Sequence, residues 1–232
     1  MTRTRQPWRS VRRLSRAGGF SLVEVMVAAL LMLVILAAIY GIWFGLQRTY
    51  SFTDEDMRAQ TEARGAMGEM VELIRTAREP DDPTLAAELD MVIVRAEPNS
   101  LVVWTDMDRD INHDLELVRF RVDSNPEARV LYRDDSQEGD PVFPADSSTS
   151  TRLVGSWVSN SDEVGKWLFT YLGRNGATLP MTVGTAGDPT HVIDPSKIRE
   201  VHITLMVDVV MGKSPEHHEL RSVVQPRNMR TY

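Results

Sequence analysis

The feature that most constrains this chain is an apolar stretch at residues 20–46, which contains a single charged side chain, Glu24. Six arginines and no acidic residue precede it within residues 1–16. A helix over this stretch is about 40 Å long at about 1.5 Å per residue, which exceeds the roughly 30 Å hydrocarbon core of a bilayer. The stretch is therefore predicted to span a membrane. The basic leader places the N-terminus in the cytoplasm and the bulk of the chain on the far side.

Three interpretations of this N-terminal segment compete. A cleaved signal peptide has an apolar region of about 7–15 residues and a small-residue cleavage site, and this stretch is longer and lacks that site. A plain membrane anchor fits the length and orientation. It explains neither the glycine pair at Gly18 and Gly19 nor Glu24, since a carboxylate inside a spanning helix costs about 2.5–3.5 kcal/mol.

The third interpretation rests on the run Gly19-Phe20-Ser21-Leu22-Val23-Glu24-Val25-Met26-Val27-Ala28. This run resembles the cleavage and methylation motif of type IV prepilins and type II secretion pseudopilins. The resemblance implies that a membrane prepilin peptidase cuts between Gly19 and Phe20 and methylates the new amine of Phe20. It also implies that Glu24 pairs with the N-terminal ammonium of a neighbouring subunit during assembly.

Charge and composition narrow the function of the remaining chain. The chain carries a net charge of −7, and because the first nineteen residues carry +6, the remainder carries −13. So acidic a portion argues against nucleic-acid contact, which requires a basic face. Cysteine is absent from the sequence, which excludes disulfide and thiolate chemistry. The sequence also lacks a nucleophile elbow, a Walker loop, a Rossmann fingerprint and an HExxH motif, so we predict that the protein is not an enzyme.

A helical pattern continues beyond the apolar stretch through residues 47–79, and Pro80 is expected to end it. We predict four segments: a basic leader at 1–19, a transmembrane and assembly helix at 20–46, its amphipathic continuation at 47–79, and a periplasmic β-rich domain at 80–232. The face of the continuation that should pack on a sheet is defined by spacings of three and four residues. Its predicted members are Leu46, Tyr50, Thr53, Met57, Thr61, Arg64, Met67, Val71 and Ile74, and the face widens toward its end with Ala66, Met70, Leu73 and Ala77.

Alternating apolar residues and turn signals predict a β-rich domain after Pro80. The predicted strands are 91–95, 101–105, 115–122, 128–133, 167–172, 200–211 and 219–225, with loops at 134–150 and 173–188, a helical turn at 194–197, and 152–158 left unassigned. This pattern predicts the α+β class. It matches the pilin-like fold implied by the N-terminal resemblance, in which one long helix packs on an antiparallel sheet.

A second and less specific resemblance concerns W-type minor pilins and J-type pseudopilins. It is carried by Ala63-Arg64, Trp167-Leu168-Phe169-Thr170-Tyr171, Ile198 with Val201 and Ile203, and Gln225-Pro226-Arg227-Asn228. Major type IV pilins carry a proline at the position of Gly41. The resemblance therefore implies a minor subunit that initiates assembly or sits at the tip.

An acidic run between two predicted strands is the candidate metal site. Calcium takes six to eight oxygen ligands, often from alternate loop positions. The EF-hand pattern is incomplete, because Ile111 stands where glycine is required and Leu117 where glutamate is required. A plain acidic hairpin loop is the alternative, and calcium is the one cofactor considered. The candidate ligands are Asp106, Asp108, Asp110, Asn112 and Asp114.

The sequence thus predicts a minor pilin or pseudopilin of a type IV pilus or a type II secretion system. Its expected partners are prepilin peptidase, other minor pilins or pseudopilins, and the inner membrane, which it crosses once before it enters the pilus or pseudopilus. The alternative is a membrane-anchored periplasmic binding module that does not polymerise. Histidines 217 and 218 point to opposite faces of a strand and are predicted to be solvent-exposed rather than metal ligands.

Overall fold

A computed structural model describes residues 19–80, 89, 91–107, 115–123, 125, 129–136, 150–160, 166–180, 182–183, 191–209 and 217–227. One helix, α1, covers Leu22–Thr76. The chain forms two compact units that divide after Tyr50.

The first unit consists of the N-terminal part of α1. Leucine, alanine and methionine, which favour helices, dominate residues 22–38. Every residue from 19 to 50 is exposed, and the helix is long and apolar enough to cross a membrane. The helix passes through Gly41 and Gly45 without interruption. A side-chain carbon added at either glycine would meet no atom within 4 Å.

In the second unit, the end of α1 packs against β-structure through a stripe that matches the predicted one in its last turns and differs from it in the earlier turns. Met57 is 63% exposed, and Thr61 and Arg64 are exposed as well. The predicted residues that are buried are Ala66, Met67, Met70, Leu73, Ile74 and Ala77. Alanines occupy the buried face of the earlier turns. Because alanine adds little to a hydrophobic pattern, the sequence does not reveal this face. The buried residues of the helix are Ala59, Ala63, Ala66, Met67, Met70, Leu73 and Ile74.

The helix ends at Thr76, short of the predicted residue 79. The Thr76 hydroxyl lies 3.2 Å from the carbonyl of Leu73, to which it can donate, and that carbonyl is one of the four acceptors that the last turn leaves without a helical partner. Beyond it, the Arg78 amide donates to the Trp104 carbonyl at 3.1 Å. The chain therefore leaves the helix to contact a strand before it reaches Pro80.

Eleven strands are present among the described residues. They are β1 Ile93–Ala96, β2 Ser100–Thr105, β3 Glu116–Val122, β4 Leu131–Asp135, β5 Ser150–Val154, β6 Trp157–Val158, β7 Phe169–Leu172, β8 Thr182–Val183, β9 His191–Val192, β10 Glu200–Asp208 and β11 His218–Val224. Sheet 1 is antiparallel, in the order β1-β2-β3-β4-β5. In sheet 2, β10 pairs with β11 on one side and with β6 and β7 on the other, and β8 pairs with β9. A 3-10 turn at Pro195–Lys197 confirms the predicted helical turn.

The buried stripe of α1 and one face of each sheet form a common core. Strand β3 turns Val118 and Phe120 inward as predicted. Strand β10 contributes Val201, Ile203, Leu205 and Val207 to the same core, also as predicted. Tyr171 is fully buried and its hydroxyl donates to the Glu97 carbonyl at 2.8 Å. The α+β class is confirmed.

Two stretches of the β-structure depart from the prediction. Strand β4 extends to Asp135, so Asp134 and Asp135 lie in a strand rather than in the predicted loop at 134–150. The unassigned stretch 152–158 contains most of β5 and all of β6. Asp134 is tolerated in the strand because arginines of the neighbouring strand bind its carboxylate. Residues 137–149 lie outside the described residues.

Candidate processing and assembly site

The predicted cleavage position precedes the first residue of α1. Gly19 and Phe20 are not helical, and Phe20 is 82% exposed. Proteolysis favours exposed backbone that is not held in regular structure. The peptide bond between these two residues is thus presented in the form that a peptidase requires.

Ser21 and Glu24 form a reciprocal capping box at the start of α1. The Ser21 amide donates to Oε2 of Glu24 at 3.3 Å, and the Glu24 amide donates to the Ser21 hydroxyl oxygen at 3.2 Å. Such a box satisfies amides that lack partners in the first turn. It also places a carboxylate at the positive end of the helix dipole. A serine followed three residues later by a glutamate is the sequence signature of such a box, but the prediction from the sequence did not include it.

The pairing of Glu24 with an N-terminal ammonium stays a prediction, with which the capping box is compatible. The capping box engages only Oε2 among the described contacts, which leaves Oε1 for a further donor. Removal of residues 1–19 would create an ammonium at Phe20, immediately before Ser21. A carboxylate that is fixed on the first helical turn is well placed to pair with such an ammonium in an apolar surrounding.

The predicted calcium ligands lie mostly outside the described residues. Asp106 follows β2 and is described, whereas Asp108, Asp110, Asn112 and Asp114 are not. Next to Asp106, the Met107 amide donates to Oε2 of the buried Glu116 at 2.9 Å. Within the described ranges, no group of three or more histidine or acidic side chains is arranged to hold a metal. The calcium site stays a prediction.

The structure places His218 differently from the prediction. Its Nε2 lies 2.5 Å from Oδ1 of Asp56 on α1 and 3.4 Å from the amide nitrogen of Gln60. The His218 side chain is one-third exposed, so the prediction of a solvent-exposed residue is wrong. His217 is exposed, with its Nε2 3.3 Å from the Lys166 ammonium. The sequence missed this contact because it joins residues separated by more than 150 positions.

A charged cluster lies on the outer face of sheet 1, the face opposite the shared core. The Asp134 carboxylate is 2.6 Å from the Arg119 guanidinium and 2.7 Å from that of Arg121, and the Ser150 hydroxyl donates to it at 2.6 Å. Burial by itself would raise the pKa of Asp134. The hydrogen bonds from Arg121, Ser150 and Arg119 outweigh burial and hold the pKa below its ordinary value of 3.8.

A second ion pair connects sheet 1 to the helix. Arg133 of β4 binds Asp135 at 2.8 Å and also contacts the carboxylate of Glu69 on α1. The Arg133 side chain is only 17% exposed. Together with the His218 contact, this pair joins the amphipathic part of α1 to both sheets.

Comparison with known families identifies the N-terminal segment. Residues 14–40 match the family model of the prokaryotic N-terminal methylation motif. A search of curated proteins finds no match to this chain. The matched segment includes Gly19, Phe20 and Glu24, and the motif supports processing by prepilin peptidase. The chain therefore carries the N-terminus of a type IV prepilin-like protein.

Proposed function

We propose that this protein is a minor pilin or pseudopilin that initiates assembly, or lies at the tip, of a type IV pilus or a type II secretion pseudopilus. The observation that carries the proposal is the methylation motif at residues 14–40. Within it, an accessible Gly19–Phe20 bond precedes a helix whose first turn holds the Glu24 carboxylate. Prepilin peptidase and other pilin-like subunits are the proposed partners.

The exposed apolar part of α1 supports a role in polymerisation. Residues 22–46 are all exposed, so they can lie in lipid before assembly and against other helices after it. Glu24 is the exception in this surface. In a dry bundle of helices its charge requires a cationic partner, and the new N-terminus of a neighbouring subunit supplies one.

A minor subunit is favoured over the main fibre subunit. Gly41 stands where major pilins carry a proline, and α1 is uninterrupted there. We propose that the leader faces the cytoplasm, that residues 20–46 cross the inner membrane once, and that the β-rich domain lies in the periplasm. The six arginines before the helix support this orientation.

Three variants separate charge pairing from helix capping. Glu24→Gln keeps an oxygen that can accept the Ser21 amide but removes the charge, and Glu24→Ala removes both. Ser21→Ala keeps the charge but removes half of the capping box, at a cost of about 1 kcal/mol to the helix. Each variant is expressed at native level in the host. Assembly is measured as cross-linked species of higher mass that contain this chain in isolated membranes.

The proposal predicts that both Glu24 variants lose about nine-tenths or more of the cross-linked species. A tenfold loss corresponds to about 1.4 kcal/mol of assembly free energy, which we assign to charge pairing. Ser21→Ala should retain most of them. Normal assembly of Glu24→Gln would contradict charge pairing. Normal assembly of all three would favour the alternative, a membrane-anchored periplasmic binding module that does not polymerise.

We also propose calcium as a ligand of the acidic run at Asp106, Asp108, Asp110, Asn112 and Asp114. The support is the alternation of oxygen-bearing side chains, which suits calcium. Isothermal titration of calcium into the detergent-solubilised chain tests this proposal. We expect binding heat that is lost with Asp108→Ala, and an absence of heat for the unsubstituted chain would contradict it.

A further inference from the structure

The turn that follows β7 contains a reactive pair of residues that neither processing nor assembly uses. Six asparagines occur in the sequence, and Asn175 is the one that a glycine follows. Both Asn175 and Gly176 are exposed. Glycine has no side chain to block its own backbone nitrogen. That nitrogen can therefore approach the side-chain carbonyl of the preceding asparagine, which is the geometry that leads to loss of the side-chain amide.

Backbone hydrogen bonds shape this turn and require glycine in it. The Gly173 amide donates to the Ala177 carbonyl at 2.9 Å, and the Gly176 amide donates to the Gly173 carbonyl at 2.9 Å. Gly176 has a φ of 72°, in the left-handed region that glycine adopts at little cost. A side-chain carbon built on Gly176 would meet no atom within 4 Å. The turn is therefore open to water around the Gly176 nitrogen.

A hydrogen bond holds the Asn175 side chain in a form that favours attack on it. Oδ1 of Asn175 accepts from the Ala177 amide at 3.1 Å, as in the turns that asparagine commonly forms with the backbone two residues on. Attack on Cγ moves negative charge onto Oδ1. A donor that is already in place at a developing oxyanion lowers the barrier to such a step.

Other asparagines that the structure describes lack one or more of these features. Asn160 is only 1% exposed, and its Nδ2, the atom that would have to leave, donates to the Thr204 carbonyl at 2.7 Å. Asn125 precedes Pro126, whose nitrogen has no hydrogen to lose. Asn99 precedes a serine, whose side chain hinders the approach of its nitrogen.

We propose that Asn175 is a site of spontaneous deamidation. The bond from Gly176 to the Gly173 carbonyl opens first. The Gly176 nitrogen then gives its proton to solvent and bonds to Cγ of Asn175, and the bond from Cγ to Nδ2 breaks as Nδ2 takes up a proton and leaves as ammonia. Water opens the resulting cyclic imide at either carbonyl, which gives aspartate or isoaspartate without any oxidant or reductant.

Either product changes the surface of the turn. Both add a negative charge at residue 175, and isoaspartate also adds one carbon to the backbone, which displaces the contact with the Ala177 amide. The reaction needs only water and time, so the modified fraction increases with the age of the protein. This inference is independent of the proposed function, because it requires neither processing at Gly19 nor a neighbouring subunit.

The test follows the full chain in detergent during incubation at mildly alkaline pH. Samples are digested at mildly acidic pH with a lysine-specific protease, which releases residues 167–197 as a peptide whose one asparagine is Asn175. We expect this peptide to gain the mass of an NH2-to-OH exchange and to resolve by chromatography into aspartate and isoaspartate forms. The rate should rise with pH, because the attacking nitrogen must lose its proton.

Asn160 is the internal control, since tandem mass spectrometry of the same digest reports it, and it should stay unmodified. Gly176→Ala should slow the mass gain severalfold, and Asn175→Gln should abolish it. A mass gain in the urea-unfolded chain but not in the folded chain would overturn the proposal, because the turn would then protect Asn175. Faster modification of Asn160, or an unchanged rate in Gly176→Ala, would equally overturn it.

Discussion

Asp134 is a buried carboxylate on the outer face of sheet 1. In the folded chain, Arg119 and Arg121 of β3 bind its carboxylate, and it is only 2% exposed. A cation–π contact adds to this arrangement, because the guanidinium carbon of Arg121 lies 4.8 Å from the centre of the Tyr132 ring.

Replacement of Asp134 by asparagine should lower the free energy of unfolding by about 1–3 kcal/mol at neutral pH, since two guanidinium groups lose their carboxylate. Because folding lowers the pKa of Asp134 below 3.8, its contribution to stability is present above that value. The contribution is lost as the pH falls through 3.8 toward the lower pKa of the folded state. Thermal unfolding of the full chain in detergent, measured at a series of pH values, should show the two proteins converging in acid.

Asp194→Asn is the control for this prediction. The Asp194 side chain is 48% exposed, and asparagine caps a helical turn about as well as aspartate. This variant should unfold within about 0.5 kcal/mol of the unsubstituted chain. A stability difference for Asp134→Asn that stays constant from neutral to acid pH would contradict the role assigned to the carboxylate.

A second prediction at this scale concerns Met70, which is completely buried in the core shared by α1 and the two sheets. Met70→Ala removes buried side-chain volume and should lower the free energy of unfolding by about 2–5 kcal/mol. Met57→Ala is the matched control, because Met57 on the same helix is 63% exposed. Equal effects of the two substitutions on the thermal unfolding midpoint would contradict the packing described here.

At the level of elements, the sequence predicted α1, most strands and the buried face of the last turns of α1, but not the face that its earlier turns bury. Strands with strict alternation, such as β10, were assigned correctly because one side is apolar throughout. The helix was harder, since Ala59 and Ala63 are small and the more hydrophobic Tyr50 and Met57 suggested another face. Which face of a helix is buried depends on its fit to the sheet, and that fit is not a local property of the sequence.

The register of α1 can be tested with one pair of substitutions. Ala63 is completely buried against the core, so Ala63→Leu should overpack it and cost about 1–3 kcal/mol of stability. Thr61 is exposed, so Thr61→Leu should change stability by less than about 0.5 kcal/mol. Thermal unfolding of both variants distinguishes the two registers. The opposite ranking would restore the face predicted from the sequence.

We expect the contact between Asp56 of α1 and His218 of β11 to have a measurable coupling energy. A double-mutant cycle of Asp56→Ala and His218→Ala should give about 0.5–1.5 kcal/mol, because the two side chains are in direct contact and partly buried. The same cycle on Asp54 and Arg58, which are both largely exposed, should give only about 0.3–0.5 kcal/mol. Coupling at Asp56 and His218 no larger than at the exposed pair would contradict the role of this contact.

For the whole molecule, the sequence predicts the class of fold and the N-terminal site but not the charged outer face of sheet 1. The processing motif is contiguous, so Gly19, Phe20 and Glu24 can be read directly from the chain. The arrangement of arginines on the outer face depends on the bulge at Val94 and on the pairing of three strands. Those features depend on tertiary structure, so the sequence does not indicate that Arg95 and Arg119 lie on either side of Val102.

The central claim is that this chain is cut after Gly19 and incorporated through its new N-terminus. Mass spectrometry of the N-terminal peptide, from protein isolated from membranes of the native host, tests it most directly. The predicted peptide begins at Phe20 and carries one methyl group on its amine. An assembled protein that retains residues 1–19 would contradict the claim.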